Sequence, residues 1–351
     1  MNSIAKILIG WYTENKRDLP WRQTKDPYKI WLSEIILQQT QISTGLHYYT
    51  RILKRYPDVE SLAHANKNEF LKLWQGLGYY RRAENMLQAA GYVVKHCNGK
   101  MPESYHLLLK IKGVGEYTAA AIASFAFDLP VPVIDGNVNR VISRLFDVSA
   151  LFGSKAFDVE IKAGINAVFD DKHPATFNQA IMEFGAMQCK KIPLCEACPL
   201  KEKCLAFDNN VQKIRPVKPK SKSKIPRHFY YAIIMEDGKI ALTKRNNADI
   251  WRSLYEFPLV ELPSDASDKD IMDAVNHKYR LGLLSLLSLS SYPAHILSHQ
   301  EIYAHVFLAS GKIGSHLNMI KVSDLYTYPV HRLMDKIIKS QPVKSVIYPG
   351  S

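Results

Sequence analysis

No stretch of this 351-residue sequence stays apolar for long enough to span a bilayer, which excludes a helical membrane protein. The N-terminus also lacks the long apolar core of a secretion signal. Ile4, Ile7, Leu8 and Trp11 instead mark one face of an amphipathic helix, and charged residues follow at once. No fixed period repeats along the chain, so a repeat array is not expected. Acidic residues are few beside basic ones, 33 against 46, which leaves a formal charge of +13. Such an excess favours a polyanionic partner, nucleic acid first. Cysteine is scarce: there are five, and Cys97 stands apart from the other four. Without an export signal, disulfides are a poor reading of them. The expectation is a cytoplasmic protein, associated with the nucleoid through DNA and with no membrane partner.

The length leaves room for two domains, each with its own core. Up to about residue 210 the patterns are mainly helical, as in "KIWLSEIILQQTQIS", "NKNEFLKLWQGL", "RAENMLQAAGYVVKHC" and "FNQAIMEFGAMQC". Residues 212–226, "QKIRPVKPKSKSKIP", carry six basic residues, three prolines and no acid. That composition cannot build a core and reads as an extended linker. Beyond it, "HFYYAIIMEDGKIALTKR" reads as two strands around an Asp-Gly turn. "EIYAHVFLA" is a further strand, while "DKDIMDAVNHKYRLGL" and "VHRLMDKIIKSQ" look helical. The expected division is therefore a helical domain over 1–211, a linker over 212–226 and an α+β domain over 227–351.

Cys189, Cys195, Cys198 and Cys204 are spaced C-x5-C-x2-C-x5-C. Four thiolates this close suit a tetrahedral zinc or a [4Fe–4S] cluster, and spacing alone leaves both open. In "LKIKGVGEYTAAAIA", Gly113 and Gly115 feed an apolar helix, so bare N–H groups at its start could face a phosphate. A plain turn is the alternative. Glu34 has Ile30, Trp31, Leu37 and Gln38 three and four residues away, a largely apolar face. A carboxyl desolvated there holds its proton and can serve as a general acid. Asp135 directly precedes a helical pattern, where it can cap the helix or face an active site with its charge retained. Two carboxylates with opposite protonation needs suit cleavage of a glycosidic bond.

These segments, with "RDLPWR", "WQGLGYYRRAENM", "VIDGNVNRVISRLF" and "IMEFGA", resemble the adenine DNA glycosylases of the MutY type. That family lies in the helix-hairpin-helix, endonuclease III-like superfamily. The resemblance implies a mainly α helix-hairpin-helix domain with an iron–sulfur loop, followed by an α+β Nudix-like domain. Its hairpin would grip a DNA phosphate through Gly113 and Gly115. Bifunctional relatives carry a lysine where this chain has Tyr117, so the base would be cut and the strand left intact. Glu34 would protonate the departing adenine and then activate water. Asp135 would stabilise the oxocarbenium-like sugar, directly or through a transient covalent bond, with Asn137 and Tyr117 positioning. A flipped base needs a pocket and a wedge. The family pattern puts Leu19, Trp21, Arg22 and Glu183 around that base, with Arg17 nearby. It puts Gln39, Leu77 and Tyr79 into the gap left in the stack. Cys189, Cys195, Cys198 and Cys204 would hold a [4Fe–4S] cluster. Leu297, Ser298 and His299 match the loop that recognises 8-oxoguanine. The implied partner is duplex DNA with adenine opposite 8-oxoguanine or guanine, bound by a monomer.

The chain departs from the pattern in places. Leu297 stands where phenylalanine is frequent, and the first cysteine spacing is five where six is usual. The acid-rich Nudix helix is missing from 227–351, which argues against pyrophosphate hydrolysis. His295 and His299 are spaced H-x3-H, yet no Glu follows His295 as a zinc protease requires. The rival readings are a bifunctional lyase of the endonuclease III type and a non-catalytic, zinc-containing DNA-binding protein. Tyr117 and the extra domain oppose the first; Glu34 opposes the second.

Overall fold

The computed structural model of the protein describes residues 2–220, 223–246, 249–314 and 316–349. The chain forms two compact units: Met1–His64 with Asn85–Lys220, and Ala65–Glu84 with Ser221–Ser351. Residues 65–84, which read as part of a helical domain, thus cluster with the C-terminal part of the chain. The linker reading falls partly on residues 221 and 222, outside the described residues. Its earlier part is tied to the first unit. Val217 bridges Leu151, the Val217 carbonyl accepts from the Phe152 N–H (2.8 Å), and Arg215 pairs with Asp147 at 2.7 Å. Its last residues, Ile225 and Pro226, open a strand.

In chain order the first helices are α1 (Ser3–Asn15), α2 (Pro27–Leu37), α3 (Ile42–Arg55), α4 (Val59–Ala63), α5 (Lys67–Trp74) and α6 (Arg81–His96). They are followed by α7 (Tyr105–Leu108), α8 (Glu116–Phe127), α9 (Gly136–Leu145), α10 (Lys155–Val168), α11 (Pro174–Met187) and α12 (Leu205–Asp208). Local chemistry sets the starts: Asp26 caps α2 ahead of Pro27, and Ser154 caps α10. In α2 every residue from Ile30 to Ile36 is buried, so this helix lies inside the unit and not on its skin. It packs on α8, whose alanines leave room for close approach. The helical pattern through "QQTQIS" breaks at Leu37 and resumes at Ile42, because Gln39 adopts φ +57°. A second core is made by α1, α9, α10 and α11, with Leu8, Ile142, Phe157, Phe177 and Ile181 at its centre. Ile4, Ile7 and Trp11 pack against it, the face that the N-terminal periodicity predicts.

The second unit is built on a sheet. Its strands are β1 (Ile225–Glu236), β2 (Lys239–Ala241), β3 (Thr243–Lys244), β4 (Tyr255–Glu256), β5 (Leu259–Leu262), β6 (Gly282–Ile296), β7 (Gln300–Lys312) and β8 (Met319–Lys321). The order is β6-β7-β1-β2-β8, with β5 also pairing β1 and a separate β3-β4 pair. β1 and β7 run parallel, Tyr231 opposite Val306; the other pairings are antiparallel. The expected Asp-Gly hairpin joins β1 to β2, with Asp237 and Gly238 both at positive φ and Glu236 opposite Lys239. Alternation along β1 sends Phe229, Tyr231 and Ile233 to a core under α14 (Arg332–Lys339) and α15 (Gln341–Ile347). It sends Tyr230, Ala232 and Ile234 to the opposite face, against α13 (Asp268–Tyr279). β6 lies at the sheet's edge. Its residues 282–294 include no Lys, Arg, His, Asp or Glu, and Leu284 and Leu287 are exposed.

Candidate active site and cysteine cavity

In the first unit, α2, α8 and α9 bring three of the singled-out residues together. Glu34 projects from buried α2 and is only 6% exposed. Burial pushes its carboxyl up to about 7; the nearby charge of Asp135 adds to this, while the Tyr117 hydrogen bond and Arg22 oppose it. The Tyr117 hydroxyl, on the first turn of α8, donates to Glu34 Oε2. One carboxyl oxygen is thereby held, and the other can carry the proton. Tyr117 itself is pushed well above its ordinary value, by burial and by the adjacent carboxyl groups.

The capping reading of Asp135 holds. It caps α9, Oδ1 accepting from the Val138 N–H at 2.7 Å, while Oδ2 accepts from Asn137 Nδ2 at 2.7 Å. Burial raises its pKa, and these two bonds partly offset that. Asn137 is itself fixed, its Oδ1 accepting from Arg140 Nη2 at 2.8 Å. Arg140 also donates to the carbonyls of Gly185 (2.6 Å) and Cys189 (2.8 Å). One turn on, Arg144 donates to the Cys189, Lys190 and Lys191 carbonyls and to Cys189 Sγ. Sequence reasoning missed both arginines. Their four-residue spacing on α9 was visible, but their acceptors are mostly main-chain carbonyls some 45 residues away, which no side-chain motif announces. Gly185 is needed by the same packing: a Cβ there would lie 2.7 Å from Asn137 Cβ.

Glu183 is almost wholly buried between two guanidinium groups. Arg17 bonds it through its N–H, Nε and Nη2, and Arg22 through Nη1 and Nη2, at 2.5 to 3.0 Å. Burial would raise its pKa, but the two arginines overcome that and hold it at about 2. Leu19 and Trp21 are buried beside this ion cluster in sequence, Trp21 edge-on to Tyr49 at 5.3 Å. Gly113 sits at φ +82° with Asn85 2.8 Å from where a Cβ would lie, so the turn requires glycine. Gly115 has an ordinary φ, open space beside it, and no side-chain bond capping α8.

The four cysteines line one cavity of about 30 Å³, together with Arg144 and Leu194. Burial and the neighbouring sulfurs push Cys198 up to about 11, and burial likewise raises Cys195 and Cys204. Among the described residues no three His, Cys, Asp or Glu side chains converge on one point as a single metal ion requires. Nor, among them, is any helix long and apolar enough to cross a membrane.

The second unit carries Leu77, Tyr79, Leu297, Ser298 and His299. Leu77 is buried, in a turn where Gly76, Gly78 and Tyr79 all have positive φ. Leu297 packs against the unit's apolar core, whereas Ser298 and His299 are exposed at the tip between β6 and β7.

Residues 32–162 match the family model of the HhH-GPD superfamily base excision DNA repair proteins, and 229–340 match that of the NUDIX domain. The chain is 37% identical over 317 residues to the adenine DNA glycosylase of Buchnera aphidicola subsp. Baizongia pistaciae, covering 89% of this chain and 88% of the relative. To that of Rattus norvegicus it is 31% identical over 405 residues, covering 100% and 73%. A thermostable thymine-DNA glycosylase superposes with a TM-score of 0.53 at 27% identity, over 59% of this chain and 95% of the other. Endonuclease III in a non-covalent DNA complex shares the fold, with a TM-score of 0.51 at 21% identity over 60% and 97%.

Proposed function

The chain belongs to the adenine DNA glycosylases, and from that premise we propose how its residues divide the work of excision. The enzyme is a base-excision repair glycosylase with DNA as its partner. The observation that carries the assignment is the buried Glu34 held by Tyr117 within electrostatic reach of Asp135. Near neutral pH Glu34 is protonated in a large fraction of molecules, and its free oxygen hands that proton to adenine as the C–N bond breaks. The carboxylate left behind then takes a proton from the attacking water. Asp135, held by Val138 and Asn137, keeps an anion facing the cation that develops on the sugar. Tyr117 has no amine, so no Schiff base forms and the strand stays whole.

Arg17, Arg22 and Glu183, with Leu19 and Trp21, form the pocket for the flipped adenine; the ion cluster supplies fixed polar edges that need no reorganisation. Gly113 and the open, uncapped start of α8 at Gly115 receive a phosphate. Gln39, Leu77 and Tyr79 enter the gap in the base stack. Ser298 and His299, with Leu297 anchoring their loop, meet the base opposite adenine, which is 8-oxoguanine in preference to guanine. Work on such a substrate locates the enzyme at the nucleoid in the cytoplasm.

Cys189, Cys195, Cys198 and Cys204 hold a [4Fe–4S] cluster. The four thiols line one cavity, and the family resemblance favours a [4Fe–4S] cluster, to which each would contribute a thiolate ligand. The cluster, when bound, cross-links the loop that Arg140 and Arg144 tie to α9. The test of the whole reading is incubation with labelled duplexes carrying adenine opposite 8-oxoguanine, guanine or thymine. Adenine should be lost opposite 8-oxoguanine and guanine, with strand scission only after alkali. Efficient borohydride trapping would instead identify a lyase.

A further inference from the structure

Ser298 sits in a two-residue hairpin tip, where the Leu297 N–H donates to the Gln300 carbonyl at 2.9 Å. Its hydroxyl oxygen lies 2.9 Å from the Tyr79 hydroxyl, and either group can be the donor. Tyr79 is not a loose surface aromatic. Its backbone is held at φ +47°, and the Arg82 guanidinium lies over both its ring (5.7 Å) and that of Trp74 (5.4 Å). The surrounding segment is fastened within the same unit. Lys67 donates to Ser253 at 2.9 Å, Gln75 to Asp335 at 3.3 Å, and Tyr80 to the Val330 carbonyl at 3.3 Å. Tyr79 therefore presents its oxygen to Ser298 from a fixed base.

A serine hydroxyl has one proton and two lone pairs, and it rotates to suit its partner. 8-Oxoguanine bears a proton on N7, whereas guanine bears a lone pair there. A free serine could accept from the first or donate to the second, and would separate them poorly. Resting on the reading that Ser298 meets the N7 edge, we propose that the Tyr79 oxygen takes the Ser298 proton and so sets the polarity of lesion recognition. Ser298 then faces DNA with lone pairs only. It accepts from the N7–H of 8-oxoguanine and repels the N7 lone pair of guanine.

The test is single-turnover excision of adenine opposite 8-oxoguanine, guanine and 7-deazaguanine, whose position 7 is a C–H. Full-length wild type is compared with Tyr79→Phe, which keeps the ring, with Ser298→Ala, and with the double variant. Wild type should show no preference for guanine over 7-deazaguanine. Tyr79→Phe frees the serine proton, so guanine should gain about fivefold over its 7-deaza analogue, the worth of one hydrogen bond. The preference for 8-oxoguanine over guanine should fall by a similar factor, about fivefold. The double variant should match Ser298→Ala alone. If Tyr79→Phe leaves both ratios at wild type while Ser298→Ala lowers the lesion preference, the role of Tyr79 is refuted and the reading of Ser298 stands. A lower lesion preference with no gain for guanine over 7-deazaguanine would make Tyr79 a mere support, which also overturns the proposal. Full lesion preference in Ser298→Ala would remove the reading itself.

Discussion

Burial that lifts Glu34 to about 7 acts on stability as well as on chemistry. Its folded pKa lies above the ordinary 4.5, so folding binds a proton that the unfolded chain releases between those values. The associated stability is complete below pH 4.5 and is lost as pH rises through 7, on the order of 3 kcal/mol in all. Glu34→Gln is neutral at every pH. Its melting temperature, relative to wild type, should therefore rise from pH 4 to pH 8, while cleavage falls at least ~10²-fold. Thermal melts and single-turnover rates on the same preparations check both halves; a constant gap in melting temperature would contradict the buried-acid assignment. Asp135→Asn separates cap from catalyst. An amide oxygen still accepts from Val138 and caps about as well as aspartate, but the new NH2 faces the Asn137 amide donor that Oδ2 accepts from. About 1–3 kcal/mol of stability should therefore be lost while excision collapses. At this scale the sequence was partly legible. Apolar neighbours on its helix face foretold the burial of Glu34, whereas the role of Arg140 depends on the distant Cys189 carbonyl, whose approach only the fold creates.

Two short elements make sharper tests than any single side chain. In the hairpin before α8, Gly113→Ala meets both the positive φ and Asn85, and should cost about 1 kcal/mol or more in stability along with DNA affinity. Gly115→Ala meets neither. It should leave the melting temperature unchanged yet weaken DNA binding in titrations, because its methyl occupies the space offered to a phosphate. Unchanged binding would make the turn merely structural. Helix α9 carries Asp135 at its cap, Asn137 in its first turn and Arg140 beyond, so it joins the proposed catalytic carboxylate to the cysteine loop. Arg140→Gln should lower both excision rate and iron content, measured on one preparation. Helix and hairpin positions were readable where pattern and punctuation agreed, as at α13, α14 and the Asp237-Gly238 turn. The break after α2 was not, since a non-glycine residue at φ +57° gives no compositional sign.

For the molecule as a whole, a change from helical to strand texture around the basic segment was visible in the sequence, though the first strand opens at Ile225 and not at 227. The clustering of residues 65–84 with the later part of the chain was not visible. Their helical periodicity says nothing about which core they join. Their hydrogen bonds to Ser253, Val330 and Asp335 place them in the second unit. Deleting residues 227–351 should therefore do more than lower lesion preference. It should also speed amide hydrogen exchange across 65–84, because those bonds lose their partners; unchanged protection there would show that the segment stands alone. The uncharged edge of β6 has a consequence for handling the protein. Its outer backbone groups are a template on which a second chain can add, interrupted by Pro293 and three bulges, and the +13 net charge also opposes the approach of copies. Raising salt to 1 M shortens the screening length to about 3 Å and removes that protection. Concentrated protein should then cloud in light scattering at high salt and stay clear at low salt, the reverse of an ordinary charge-driven precipitate. Leu287→Lys, whose ammonium would have to lose water for the edge to pair, should keep it clear in both.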